Sequence, residues 1–184
     1  MKENVGFNLF METERLNIRP YREDEKDHVI NLFTDAEVMR HVDTGVMSSE
    51  DAETLWKKLI EDFYPNGKTT IYGVFAKTDE SCIGHCSIRP RPQKAEDWEI
   101  GYILQKNAWN RGYATEIASR LIKFGFKELS LPEVFATIDE DNLNSIKVAE
   151  KAGMQFDRYE YDEEGRFLVY SIENKAKSTF SRLK

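Results

Sequence analysis

The segment WNRGYATE, residues 109–116, places a single glycine, Gly112, between an arginine and a tyrosine at the start of a helical pattern. A helix N-terminus presents backbone N–H groups without intrahelical partners and a partial positive charge. Because glycine has no β-carbon, an anion such as a pyrophosphate can approach these groups closely. The same residues also suit a plain turn in which Arg111 is solvated, so the segment alone leaves both interpretations open.

Two better-known phosphate-binding motifs do not fit this segment. A Walker turn requires G-x-x-x-x-G-K-[ST], and a dinucleotide-binding turn requires G-x-G-x-x-G. The segment contains one glycine and neither spacing. A kinase or another nucleotide-dependent enzyme is therefore not expected.

The elements that position the segment alternate between strand and helix patterns. Hydrophobic periodicity predicts one strand, two helices, three strands, a helix, a strand, a helix and two strands. Ser48 followed by Asp51 resembles a capping box at the start of the second helix, where Trp56 belongs to an apolar stripe that ends at Pro65, and Gly153 should end the last helix. This order implies an α/β (mixed α+β) fold, with a single mixed, mostly antiparallel twisted sheet of about seven strands and helices on both faces. We expect an extension at 1–10, one domain at 11–175 and a polar tail at 176–184.

The composition argues against nucleic-acid and membrane partners. The 184-residue chain has a net charge of −7 and no basic cluster of the kind that contacts the phosphates of a duplex. No apolar run approaches the roughly 18 residues of a membrane-spanning helix, and the first residues lack the core of a signal peptide. We therefore expect a cytoplasmic protein.

The two cysteines, Cys82 and Cys86, lie on either side of His85 in the segment SCIGHCSI and suggest a metal site. The segment has a strand pattern, however, in which the two sulfurs share one face about 13 Å apart and His85 points to the other face. That separation is too large for one zinc ion or for a disulfide. We expect structural thiols and no metal.

Three longer segments give residues 109–116 a context. The chain reads METERLNIRPY at 11–21, EIGYILQKNAWNRGYATEIASRLIKFGF at 99–126 and DEDNLNSIKVAEKAGM at 139–154. The second and third resemble the acetyl-coenzyme A motif and the following motif of the GNAT superfamily of N-acetyltransferases, at the usual separation. The first looks like the opening strand of the branch that contains ribosomal-protein alanine N-acetyltransferases. The resemblance covers about residues 11–173 and implies the GNAT fold, with the cofactor in a cleft where the fourth and fifth of the seven strands splay apart.

The resemblance also implies which residues contact the co-substrate, acetyl-coenzyme A. In the family, backbone groups at the end of the fourth strand pair with the pantetheine arm and the acetyl carbonyl. Backbone amides of the next turn hold the pyrophosphate, and an asparagine of the following motif lies beside the pantetheine. These contacts fall on Ile103, Leu104, Trp109, Asn110, Arg111, Gly112, Tyr113, Ala114, Thr115 and Asn142.

Three positions depart from the family pattern. Trp109 stands where arginine or glutamine is frequent, and Asn110 stands where glycine is common. Because the phosphate contacts come mainly from backbone amides, Asn110 weakens the match only modestly. Ala149 replaces a tyrosine that serves many relatives as general acid, so that proton donor is absent from this chain.

Acetyl transfer to an amine requires a neutral amine, stabilisation of a developing oxyanion and a proton for the leaving thiolate. The resemblance assigns the oxyanion to the N–H of Leu104. Glu99 is the candidate base, and a solvated strand carboxylate is its alternative role. Ser145 is the candidate proton donor, and a helix-capping hydroxyl is its alternative role.

Two functions follow from the resemblance. The first is an N-acetyltransferase that moves the acetyl group of acetyl-coenzyme A to the primary amine of a peptide N-terminus or a small molecule. The second is a non-catalytic acyl-coenzyme A binding module, which the missing tyrosine keeps open. By analogy with the fold, residues 41–47 and Tyr64 are expected near the acceptor. Many relatives dimerise, so the resemblance also allows a homodimer.

Overall fold

The computed structural model describes residues 11–66, 71–92, 94–161 and 165–175. The predicted extension at 1–10 and the predicted tail at 176–184 lie outside the described residues. The domain boundaries predicted from the sequence therefore stay predictions.

Strands and helices follow one another in the predicted order. The described strands are β1 (Met11–Glu12), β2 (Leu16–Arg19), β3 (Ile71–Ala76), β4 (Cys82–Arg91), β5 (Lys94–Leu104), β6 (Glu133–Asp139), β7 (Gln155–Tyr161) and β8 (Arg166–Glu173). The described α-helices are α1 (Lys26–Phe33), α2 (Ser49–Lys57), α3 (Tyr113–Lys127) and α4 (Leu143–Lys151). All eight strands belong to one sheet, in the order β1-β2-β3-β4-β5-β6-β8-β7.

The strand directions confirm a mixed, mostly antiparallel sheet. The pairs β1–β2, β2–β3, β6–β8 and β7–β8 are antiparallel. The pair β5–β6 is parallel and places Glu99 opposite Phe135. Parallel neighbours require a crossover connection, and α3 lies in the chain between these two strands.

The sheet has eight strands rather than about seven because two residues before β2 form a strand of their own. Met11 pairs with Ile18, and the Thr13 N–H donates to the Leu16 carbonyl at 2.9 Å to close the turn between them. Met11 is fully buried, so it contributes to the core. A two-residue strand is too short for an alternating pattern to reveal it.

The chain divides into two compact units. The first contains the described residues up to Cys86 together with Tyr102–Arg111. Its core is aromatic: the Tyr21 ring meets the Trp56 and Phe75 rings edge-on, with ring centroids 6.0 Å apart in each case. Trp56 is therefore a core residue of α2, as its helical spacing predicts.

Helix α2 begins as predicted and is followed by a change in hydrogen-bond pattern. The Ser48 hydroxyl accepts from the Asp51 N–H at 3.1 Å, which confirms the predicted cap. After Lys57, residues Lys58–Phe63 form a π-helical segment, and the Tyr64 N–H donates to the Leu59 carbonyl five residues earlier. The helix thus extends almost to Pro65 as predicted, with π-helical rather than α-helical hydrogen bonds in its last part.

The second unit contains Ser87–Gly101 and the described residues from Gly112 onward. Helix α3 buries Ile117, Leu121 and Phe124, which recur at helical spacing and form its apolar stripe. Helix α4 ends before Gly153, which has a left-handed backbone (φ 90°) and terminates the helix as predicted.

Within the described ranges, no helix is long and apolar enough to cross a membrane.

Candidate active site

The turn before α3 has an unusual backbone. Gly112 is the N-cap residue of α3 and is left-handed, with φ 78° and ψ 1°. Asn110, two residues earlier, is also left-handed, with φ 59°. Left-handed residues that alternate with other conformations make successive N–H groups converge on one side, which is the geometry of an anion-binding concavity.

The conformation of Asn110 explains its departure from the family pattern. Asparagine is one of the few residues with a side chain that adopts the left-handed region readily. At φ 59°, it replaces the common glycine with little backbone strain. The turn therefore keeps the shape that a glycine would give it.

The first turn of α3 supplies N–H groups for a ligand. The first intrahelical bond runs from the Glu116 N–H to the Gly112 carbonyl, at 3.2 Å. The amides of Tyr113, Ala114 and Thr115 precede this bond, so they have no acceptor within the helix. Because α3 is 15 residues long, its dipole adds a partial positive charge here. The residues just before it, including Gly112, are exposed, so solvent reaches the turn.

An arginine that sequence reasoning did not single out contacts this turn. The Arg15 Nη1 atom donates to the carbonyl oxygen of Arg111 at 2.9 Å, across a sequence separation of 96 residues. Arg15 belongs to the segment METERLNIRPY, which resembles the first strand of the family. That resemblance gave no indication of which backbone group the side chain would contact.

The end of β5 is fixed by its neighbours in the first unit. The Trp109 indole Nε1 donates to the Leu104 carbonyl at 2.8 Å, and the Gln105 N–H donates to the Ile83 carbonyl at 2.9 Å. Leu104 is buried, and Ile103 is partly buried against the aromatic core. Trp109 therefore orients the strand end that was predicted to contact the acetyl group.

Glu99 lies in a network of arginines in the second unit. Its Oε1 accepts from Arg89 Nε at 3.1 Å, while its Oε2 accepts from the Thr137 hydroxyl at 3.3 Å and lies 3.7 Å from Arg91 Nε. The Glu99 side chain is only 13% exposed, so it is not the solvated strand carboxylate of the alternative interpretation. The two oxygens differ in the exposure of their arginine partners. The Arg89 side chain at Oε1 is 50% exposed, whereas the Arg91 side chain at Oε2 is only 5% exposed.

Arg91 connects Glu99 to a second carboxylate. Its guanidinium forms a bidentate ion pair with Glu160, and it also donates to the Thr137 hydroxyl. These hydrogen bonds from Arg91, together with those from Arg158, hold the pKa of Glu160 below its usual value although partial burial opposes them. Arg91 is thus a fixed cation on the inner side of Glu99.

Asn142 and Ser145 lie together at the start of α4. The Asn142 side-chain oxygen accepts from the Ser145 N–H at 3.1 Å, so Asn142 is the N-cap residue. The Asn142 side chain therefore caps α4, and Ser145 is the third residue of the helix. Ala149, at the position of the missing tyrosine, is buried.

The acceptor residues expected by analogy have structural contacts in the first unit. The Tyr64 hydroxyl accepts from the Tyr21 N–H and donates to the Ile71 carbonyl, each at 3.3 Å. Burial raises the pKa of this phenol well above its usual value. Val42 and Met47 pack against the aromatic core, whereas Val46 is exposed.

The two thiols behave as structural groups. Cys82 and Cys86 are both free and buried. Burial raises the pKa of Cys82 to about 11 and that of Cys86 further, so both thiols stay protonated at neutral pH. Across the described residues, no group of three or more His, Cys, Asp or Glu side chains could hold a metal ion.

Relatives of this chain are acetyltransferases. The family model described as acetyltransferase (GNAT) domain matches residues 15–155. An uncharacterized N-acetyltransferase, YnaD of Bacillus subtilis (strain 168), is 29% identical over 147 residues, which are 80% of this chain and 83% of the relative.

Solved structures share the fold. A GNAT-family acetyltransferase from Bacillus anthracis is 27% identical with a TM-score of 0.77, covering 90% of this chain and 98% of that chain. The ribosomal-protein-S5-alanine acetyltransferase of Vibrio fischeri has a TM-score of 0.74 at 16% identity, covering 91% and 97%. Spermidine N-acetyltransferase of Vibrio cholerae, in complex with CoA and spermine, has a TM-score of 0.71 at 16% identity, covering 88% and 96%. The chain belongs to the GNAT acetyltransferase family.

Proposed function

We propose that this protein transfers the acetyl group of acetyl-coenzyme A to the primary amine of a peptide N-terminus or of a small molecule. The observation that carries the proposal is the turn before α3. Two left-handed residues, Asn110 and Gly112, precede a helix whose first-turn amides have no acceptor within the helix, and they lie within the sequence that resembles the acetyl-coenzyme A motif of the family. The metal-free character of the proposed reaction follows from its chemistry, because a thioester is already activated for attack by an amine.

We assign the following roles to the residues of the site. The amides from Asn110 to Thr115 bind the pyrophosphate, with Arg111 as an accessory. Backbone groups of Ile103 and Leu104 bind the pantetheine arm, and Asn142 lies beside it. The N–H of Leu104 donates to the oxyanion, and its carbonyl is held by Trp109.

The reaction replaces a C–S bond with a C–N bond. Acetyl-coenzyme A would supply a thioester whose carbonyl carbon the neutral amine attacks. As the thiolate leaves, the proton lost from the amine nitrogen passes to the base, and a proton reaches the sulfur from Ser145 or from water. A thiol is acidic enough to leave without strong assistance, so Ala149 in place of tyrosine is compatible with turnover.

Glu99 can act as base only through one of its oxygens. The buried Arg91 guanidinium lies near Oε2, which also accepts from the exposed Thr137 hydroxyl, whereas the described partner of Oε1 is the half-exposed Arg89. An arriving ammonium group can take the place of the Arg89 guanidinium, which has the same charge. We propose that the acceptor amine reaches Oε1 in this way, directly or through a water molecule.

The experiment measures release of free coenzyme A with a panel of amines, and mass spectrometry identifies the acetylated product. The names of the Vibrio neighbours suggest the panel: peptides with N-terminal alanine, and spermidine. Turnover with any member supports the proposal. Tight binding of acetyl-coenzyme A without turnover on any acceptor would favour the binding module instead.

Two variants then test the base. Glu99→Gln should lower kcat at neutral pH while the affinity for coenzyme A is unchanged, by the roughly 10²-fold or more that general-base catalysis contributes. Arg89→Gln should lower KM for the acceptor, because it removes the competing cation. Unchanged kcat in Glu99→Gln would exclude Glu99 as base and leave it a structural partner of the arginines.

A further inference from the structure

The hydrogen bond from Arg15 to the carbonyl of Arg111 links the start of β2 to the turn before α3. The backbone of Arg15 is fixed independently of its side chain. Its carbonyl accepts from the Lys77 N–H at 2.9 Å, and the next residue, Leu16, pairs with Ala76 of β3. The exposed Arg15 side chain therefore extends from an anchored strand to the turn, and its substitution leaves the strand's own hydrogen bonds in place.

The contact has a consequence for the neighbouring amide. In a trans peptide, the carbonyl oxygen of Arg111 and the N–H of Gly112 lie in one plane and point in opposite directions. A donor that holds the oxygen therefore fixes the direction of the N–H. Because the donor is a cation, it also polarises the peptide and makes the N–H a stronger donor.

Without the contact from Arg15, the orientation of this peptide plane is weakly restrained. Gly112 adopts positive and negative φ with similar ease, so the plane between Arg111 and Gly112 can rotate and turn the N–H away. Asn110 and Gly112 are both exposed, so packing gives the turn little restraint. The hydrogen bond from Arg15 opposes that rotation.

We propose that Arg15 is a positioning residue for the pyrophosphate site: it holds the Arg111 carbonyl so that the Gly112 N–H faces the phosphate oxygens. The inference rests on the proposed function, since it assumes that this turn binds the pyrophosphate of acetyl-coenzyme A. Arg15 acts on donor binding, and the acceptor and the chemical step do not depend on it.

The test compares two acetyl donors. Acetyl-coenzyme A contains the pyrophosphate, whereas S-acetyl-pantetheine has the same thioester and arm without it. Arg15→Gln should lower kcat/KM for acetyl-coenzyme A about tenfold, mainly through KM, because one charge-assisted hydrogen bond is lost. It should leave kcat/KM for S-acetyl-pantetheine unchanged. A purely structural role would lower both equally.

Two further variants separate geometry from charge. Arg40→Gln removes the same charge from another exposed arginine and should leave the ratio of the two donors unchanged. Arg15→Lys keeps the charge without the planar guanidinium, and we expect about a threefold loss with acetyl-coenzyme A. An equal loss in Arg40→Gln would show that simple attraction of the donor is responsible and would overturn the proposal.

Failure of the proposed function would be recognised separately. If the wild-type protein acetylates no acceptor, the enzymatic proposal fails, but calorimetry still compares the affinities of wild type and Arg15→Gln for coenzyme A and for pantetheine. A selective loss of coenzyme A affinity in Arg15→Gln supports the role of Arg15. Equal affinities of the two proteins for coenzyme A overturn it.

Discussion

Gly112 offers the most informative single perturbation of the turn. Its φ of 78° lies in the left-handed region, which is unfavourable by roughly 1–2 kcal/mol for a residue with a side chain. Gly112→Ala should therefore lower the free energy of unfolding by about 1 kcal/mol. Asparagine tolerates this region better, and the chain already holds Asn110 at φ 59°. Gly112→Asn should thus be nearly as stable as the wild type, and it tests binding without the cost of unfolding.

The binding effect of Gly112→Asn comes from the added side chain. A β-carbon and amide beside the first amides of α3 should displace a phosphate oxygen from at least one N–H group. Because a hydrogen bond to a charged group contributes roughly 1.5–3 kcal/mol, the affinity for coenzyme A should fall by about tenfold to a hundredfold. Calorimetry with coenzyme A and urea unfolding together measure the two effects.

Gly45 supplies the matched control. It is also left-handed, with φ 62°, and an added β-carbon would meet no atom within 4 Å. Gly45→Asn should retain both the stability and the coenzyme A affinity of the wild type. If Gly112→Asn binds coenzyme A as tightly as Gly45→Asn does, then Gly112 is only a turn residue, and the pyrophosphate site proposed here is wrong.

Three further predictions concern packing, a thiol and an ion pair. A β-carbon at Gly84 would lie 2.2 Å from the Ile103 carbonyl oxygen, so Gly84→Ala should destabilise the protein by about 3 kcal/mol in urea unfolding. Burial raises the pKa of Cys82 to about 11, so the thiol is protonated at pH 8, and mass spectrometry should detect its alkylation by iodoacetamide only after unfolding. Arg91→Met removes the hydrogen bonds that lower the pKa of Glu160; this pair stabilises the fold only above that lowered pKa. Urea unfolding should therefore give a loss of about 2 kcal/mol at pH 7 that shrinks as the pH falls from the usual glutamate pKa through the lowered one.

Local patterns in the sequence were enough to predict much of the fold. The cap at Ser48 and the end of α4 before Gly153 depend on residues close in the chain, and both are confirmed. The turn at 109–116 was located because its glycine and the following helix are adjacent in the sequence.

The contacts that define the candidate site were not predictable in this way. The bond from Arg15 to Arg111 spans 96 residues, and nothing local indicates which backbone group an exposed arginine will meet. The charged partners of Glu99 are Arg89 and Arg91 of β4, which are close to it in the sequence. Their distances from the carboxylate nevertheless depend on how the strands align. Periodicity identifies which residues are buried, whereas these contacts depend on the register between elements.

The central claim is that the chain transfers acetyl groups from acetyl-coenzyme A to an amine. The most direct measurement incubates the wild-type protein with acetyl-coenzyme A and the amine panel, and follows both free coenzyme A and the mass of each acceptor. We predict equal amounts of free coenzyme A and of one acceptor that is heavier by one acetyl group. Coenzyme A bound tightly but never released, with every acceptor unmodified, would contradict the claim.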